Sequence, residues 1–113
     1  MAFTKGFPSS AERDYKFDKH VIRGREFTYA SSLEYEANAD RFLGGPLDSD
    51  TMECVRVKHD GTIGDKIRYN RRTEEFGVLG NDGIIRSYFR PDPNVHKMPS
   101  NLDYFNKTCR AVF

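Results

Sequence analysis

The chain has 113 residues, of which 37% are hydrophobic, 13% aromatic and 31% charged, with a formal net charge of +1. That length supports one domain with one core, and no apolar run is long enough to span a membrane. Net charge neither favours nor excludes a nucleic-acid partner, but its distribution says more: residues 1–55 carry 7 Lys+Arg against 10 Asp+Glu, whereas residues 56–90 carry 8 against 5.

Residues 1–10, with Gly6, Pro8, Ser9 and Ser10, read as a flexible N-terminal arm. Residues 11–113 then read as a single domain. Ser10 is expected to cap a helix over Ala11–Val21 that places Tyr15, Phe17 and Val21 near one side. Gly24 interrupts it. A better helix signal starts at Ser31 or Ser32 and runs to Leu43. Glu34 sits near its cap and Tyr35, Ala39, Phe42 and Leu43 form an apolar stripe. Gly44-Gly45-Pro46 stops it.

Leu47–Thr51 is an acidic loop. Cys54–Lys58 alternates as a strand does, and His59-Asp60-Gly61 is a turn. Further strands are expected over Thr62–Tyr69, Glu75–Leu79 and Ile84–Phe89. Gly80-Asn81-Asp82-Gly83 is the strongest hairpin signal. Pro91 and Pro93 end the last strand, since neither can donate to a ladder. Leu102, Phe105 and Cys109 suit a short helix that packs back on the sheet, and Val112 lies in the tail beyond it. The order predicts an α+β domain, with N-terminal helices packed on one face of a four-stranded antiparallel sheet and the other face left for a ligand. Cys54 and Cys109 match no metal-ligand spacing and are expected as buried free thiols rather than a disulfide.

The strands interleave aromatics with arginines, in Ile67-Arg68-Tyr69 and again in Arg86-Ser87-Tyr88-Phe89-Arg90. Guanidinium groups pair with phosphates and rings stack on exposed bases, so such a face suits RNA. RNA cleavage by attack of a ribose 2′-OH on its phosphate needs proton transfer and cations for the developing charge. Histidine as a residue type can serve a proton transfer near neutral pH, which makes His20 a candidate. Arg68, Arg86 and Arg90 can clamp phosphate. Lys19 stands next to His20. Strand alternation puts Arg86, Tyr88 and Arg90 on one face and Ile85, Ser87 and Phe89 on the other. Ser87 is a core hydroxyl on one choice of face and a site hydroxyl on the other. Tyr69 and Tyr104 either stack on bases or fill the core. His59 reads as a turn residue and His96 as an outside candidate for a second acid/base. Glu34 with Glu36, and Glu74 with Glu75, read as solvated charges. No P-loop, dinucleotide fingerprint, CxxC or HExxH occurs, and no cofactor is expected.

Three further runs carry a resemblance: Ile67-Arg68-Tyr69-Asn70, Thr73-Glu74-Glu75-Phe76-Gly77-Val78, and Asp82 through Pro91. They resemble the signature of the barnase/EndoU/colicin E5-D/RelE-like ribonuclease toxins, a group that includes toxin domains of bacterial contact-dependent growth inhibition and phage nucleases. Lys19-His20-Val21-Ile22 with Arg25-Glu26-Phe27, and Asn101-Leu102-Asp103-Tyr104-Phe105, extend the resemblance to about residues 17–106. Where related sequences often carry a second basic residue or histidine soon after the first histidine, this chain has Arg23-Gly24-Arg25. Ser87 stands where threonine is often seen.

The resemblance implies metal-independent cleavage of RNA, often transfer RNA. His20, Arg68 and Ser87 would be catalytic, and Lys19, Tyr69, Arg86, Arg90 and Tyr104 would bind substrate. It also implies a delivered effector acting in the target-cell cytoplasm and a cognate immunity protein. Two rival expectations remain: a non-catalytic RNA-binding module, and a phage or secretion structural domain.

Overall fold

Ser9, one residue earlier than expected, starts the first helix: its Oγ accepts the Glu12 N–H at 3.1 Å. α1 then spans Ser10–Phe17 in the computed structural model, which describes residues 2–110. Phe17 keeps helical dihedrals, yet the chain widens into a π-helical segment, Asp18–Arg23, rather than continuing as α-helix to Val21. α2 spans Ser32–Gly44 under a Ser31 cap, and Glu34 reaches back to the Ala30 N–H at 2.8 Å. Tyr35, Ala39 and Leu43 are fully buried, a one-turn spacing that forms the expected stripe.

Four strands follow, β1 (Thr51–Val57), β2 (Ile63–Asn70), β3 (Phe76–Leu79) and β4 (Ile85–Phe89). They form one antiparallel sheet in chain order. β1 begins three residues before Cys54 because Thr51, Met52 and Glu53 pair with Asn70, Tyr69 and Arg68. The β3–β4 turn closes with the Gly83 N–H on the Gly80 carbonyl at 2.9 Å. Gly83 takes φ +85 there, a conformation glycine adopts without steric cost. α3 (Pro93–His96) and α4 (Asn101–Arg110) follow. The fold is α+β, with the N-terminal helices on one face of the four-stranded sheet.

That face buries Val21, Phe27, Tyr35, Ala39 and Leu43 against Leu79, Ile85 and Tyr88. Gly77 lets α2 approach: a Cβ there would lie 2.8 Å from Leu43 Cδ2. The opposite face is not left free. α4 lays Phe105 over Ile67, Tyr69 and Phe76, with Tyr104 beside them. A disulfide joins Cys54 to Cys109 across that layer, Cα to Cα 6.0 Å. This corrects the expectation of free thiols, because α4 brings together two residues 55 positions apart.

A bulge also corrects the strand alternation. Val78 pairs with Ser87 but Leu79 pairs with Ile85, leaving Arg86 as the extra residue. Ile85 and Tyr88 therefore share the helix side, while Ser87 and Phe89 face the α4 side. Neither of the two expected three-residue faces exists.

Residues 4–7 are tied to the sheet and to α2. Lys5 N–H donates to Gly83 O and Ile85 N–H to Gly6 O, both at 2.8 Å, so this stretch pairs with the start of edge strand β4. Buried Asp40 accepts the Thr4 N–H at 2.7 Å and the Thr4 hydroxyl at 2.6 Å, and Glu36 accepts the Phe7 N–H at 3.0 Å.

Candidate active site

The π-helical segment decides where His20 points. Such insertions are rare and concentrate at functional sites. Gly24 closes the segment against the turn below it: an added Cβ would sit 2.6 Å from Lys19 O and 3.3 Å from His20 Cα. Arg25 then takes φ +53, a left-handed conformation that costs a non-glycine residue roughly 1 kcal/mol. Together these turns fold the chain back, so that the Glu26 N–H reaches His20 O at 2.9 Å. The Glu26 carboxylate meets His20 Nδ1 at 2.8 Å. Its other oxygen accepts the Arg90 N–H at 2.7 Å.

Arg90 completes the corner. Its Nη1 donates to Glu26 O at 2.7 Å and its guanidinium lies 5.0 Å from the Phe27 ring centroid. The His20 ring stacks on Phe89 at 5.3 Å. A carboxylate at Nδ1 holds the proton there and leaves Nε2 as the basic nitrogen. Ser87 is on the same side of β4 as Phe89, two residues away. Lys19, Arg23 and Arg25 are exposed around the corner, and Arg23 pairs with Asp18 at 2.6 Å.

The other expected site residues lie elsewhere. Arg68 is buried at the end of α2: it donates to Phe42 O at 3.1 Å, Gly45 O at 2.7 Å and Glu53 at 3.0 Å. Those carbonyls end a helix and lack intrahelical partners, so Arg68 caps α2. Arg86 is at the far end of β4 from Arg90 and pairs with Asp82 at 2.8 Å. Tyr69 donates to Glu74 at 2.6 Å under Phe105, and burial, with that bond second, pushes its hydroxyl well above the usual tyrosine value. Tyr104 packs on Phe76 at 5.1 Å and stacks on His96 at 4.6 Å.

His96 uses both ring nitrogens. Asn101 Nδ2 donates to Glu74 at 2.9 Å and to Pro91 O at 2.9 Å. This aims Asn101 Oδ1 at His96 Nε2, 2.8 Å away, so Nε2 must carry the proton. Nδ1 accepts the Met98 N–H at 3.2 Å.

Glu74 and Glu75 are not solvated turn charges. Glu74, at φ +65, serves Tyr69 and Asn101 on the α4 side. Glu75 turns to the helix side, where it accepts the Thr73 hydroxyl at 2.6 Å and the Tyr88 hydroxyl in a short hydrogen bond. Tyr88 spends its one proton on that carboxylate, so Tyr29, whose hydroxyl is 2.8 Å away, donates to Tyr88. Burial, followed by the Glu75 charge, drives the Tyr88 hydroxyl far above its ordinary range.

Glu26 is the residue of this corner that sequence reasoning missed. Glu26 lies six positions after His20, a spacing that meets on no regular helix face. Gly24 is the one local signal of the turn that joins them. Among the described residues, no group of three or more histidine, cysteine or carboxylate side chains is arranged to hold a metal, and no helix is long and apolar enough to cross a membrane. In comparisons with known proteins, no family model matches the chain and no curated protein does.

Proposed function

We propose that the domain is a metal-independent endoribonuclease toxin, with transfer RNA as its expected substrate, and that the His20–Glu26 pair carries the reaction. The observation behind this reading is a carboxylate fixed on His20 Nδ1 by two uncommon backbone turns, with a cation, Arg90, held by the same carboxylate residue. Nε2 serves a proton transfer in the attack of the ribose 2′-OH on its phosphate: the neutral ring accepts the proton, and the imidazolium so formed can return it to the leaving 5′ oxygen. Glu26 stabilises that imidazolium. Arg90, with Lys19, Arg23 and Arg25 nearby, offsets phosphate charge. Ser87 supplies a hydroxyl from the neighbouring strand position.

A delivered toxin of this kind would act in the target-cell cytoplasm and be neutralised by an immunity protein. The Cys54–Cys109 disulfide fits passage through an oxidising compartment. A second reading, a non-catalytic RNA-binding module, draws on the depth of His20, whose side chain is 8% exposed, and on the structural duties of Arg68 and Tyr69.

Incubation of the purified domain with total RNA in EDTA separates the two. The toxin reading expects discrete cleavage products, lost in His20→Ala, and bacterial growth arrest relieved by the same change. Intact RNA at micromolar protein, with salt-sensitive binding retained, selects the second reading.

A further inference from the structure

One cavity lies away from His20, which is not part of its lining. A cleft of about 360 Å³ opens between the second half of α2, the start of β1 and the β2–β3 turn. We propose that this cleft binds one nucleotide, a base with its attached phosphate, as a separate subsite for the RNA strand. The ligand class rests on the RNA reading above. The site itself rests on the following features.

The floor is rigid and polar. Asn70, 3% exposed, accepts the Arg72 and Thr73 N–H groups at 2.9 Å and donates to Thr51 at 3.0 Å. Glu75 is fixed by Thr73 and Tyr88. A carboxylate and amides held this way can read the hydrogen-bonding edge of an unstacked base. Phe42 lines the same cleft and offers a ring for stacking.

Two arginines come from opposite rims. Arg41, on α2, is held at 2.6 Å by the neutral Asn38 Oδ1. Arg72, on the turn, reaches Asp50 at 3.2 Å with 69% of its side chain exposed, a pairing of little strength in water. Their charges gain most from a shared anion. A ligand with both an anion and a hydrogen-bonding ring matches this lining, and one nucleotide matches the volume.

The cleft is also joined to the His20 corner. Glu75 contacts Tyr88, Tyr88 contacts Tyr29, Tyr29 stacks on Phe27 at 5.2 Å, and Phe27 lies under Arg90. These contacts link the two places through the buried core.

The test is a ¹H–¹⁵N titration of the labelled domain with the four ribonucleoside 5′-monophosphates, ribose 5-phosphate and inorganic phosphate. At least one nucleotide should saturate shifts of the Asn38 side-chain amide and the Thr51 and Thr73 backbone amides, with a dissociation constant of about 1 mM. The double variant Arg41→Gln/Arg72→Gln, both surface changes, should weaken it about tenfold or more. Asn38→Ala should alter the ranking of the four bases.

Absence of saturable shifts at the cleft overturns the proposal. So does equal binding of inorganic phosphate or ribose 5-phosphate, or indifference to the double variant. Cleavage assays run in parallel keep the two ideas apart. RNA cut by a domain whose cleft is silent removes the subsite alone. Nucleotides filling the cleft of a domain that leaves RNA intact remove the reaction alone.

Discussion

His20 and His96 are both stacked on an aromatic ring and both hydrogen-bonded, yet they are held in opposite ways. His20 has a carboxylate on Nδ1, so its neutral form keeps the proton there and presents Nε2. His96 donates from Nε2 to Asn101 and accepts at Nδ1 from Met98, so neither nitrogen is left for chemistry. Consecutive glutamates sort the wider networks in the same way. Glu74 belongs to the His96 side through Asn101 and Tyr69, and Glu75 to the helix side through Tyr88. The lesson is that burial alone does not set the role proposed for each ring: His20 is the more deeply buried of the two. What distinguishes them is the nitrogen that the partners leave available.

The comparison can be broken most sharply by removing each ring in turn. His20→Ala should lower RNA cleavage about a hundredfold to ten-thousandfold, while His96→Ala should leave the rate unchanged and lower the urea midpoint. Equal activity of His20→Ala and wild type would remove the distinction.

The next largest effect concerns α4, which carries Asn101 and so holds the His96 side. The disulfide closes a loop of 55 residues' separation. Cys54→Ser, or reduction, should therefore cost about 2–4 kcal/mol in urea unfolding. Hydrogen exchange should rise first in α4 rather than near His20.

Glu26→Gln keeps the shape but removes the charge behind His20. Cleavage should fall about 10- to 100-fold and its pH profile should move, whereas a purely structural Glu26 would change stability and leave the profile in place. Asn101→Ala removes three contacts from the other side. It should cost about 1–3 kcal/mol, read from thermal unfolding, with cleavage intact.

The smallest effect is alkaline. Burial raises the hydroxyls of Tyr35, Tyr69 and Tyr88 above the ordinary tyrosine value. Below that value, about pH 10, both folded and unfolded chains hold these protons, and the contribution to stability is complete. Above it the unfolded chain ionises first, so stability is lost as pH rises. Urea midpoints should stay level up to about pH 9 and fall beyond about pH 10. Tyr69→Phe, which removes one such hydroxyl from the His96 side, should reduce that fall.

Much of the fold was legible because period and punctuation agree locally. Tyr35, Ala39 and Leu43 mark the buried stripe of α2, and Gly80 to Gly83 marks the hairpin. Less was legible at the sites, for identifiable reasons. The Arg86 bulge shifts Tyr88 to the helix side, and alternation has no means of showing one extra residue. The π-helical segment brings His20 to Glu26 across six positions, a distance that no α-helical count pairs. Arg68 has the composition of a phosphate ligand, but it is spent on Glu53 and on two carbonyls at the end of α2, more than 20 positions upstream. The disulfide depends on where α4 docks, and spacing says nothing of that.

The most direct test is the proton position on each ring. Long-range ¹H–¹⁵N correlation of the imidazoles at about pH 8.5, above the ordinary histidine range, reports which nitrogen is protonated. Opposite tautomers are expected: Nδ1–H with bare Nε2 for His20, and Nε2–H with bare Nδ1 for His96. An Nε2–H tautomer at His20 would contradict the distinction between the two rings, because that ring would offer Glu26 no proton and its Nε2 would no longer be the basic nitrogen.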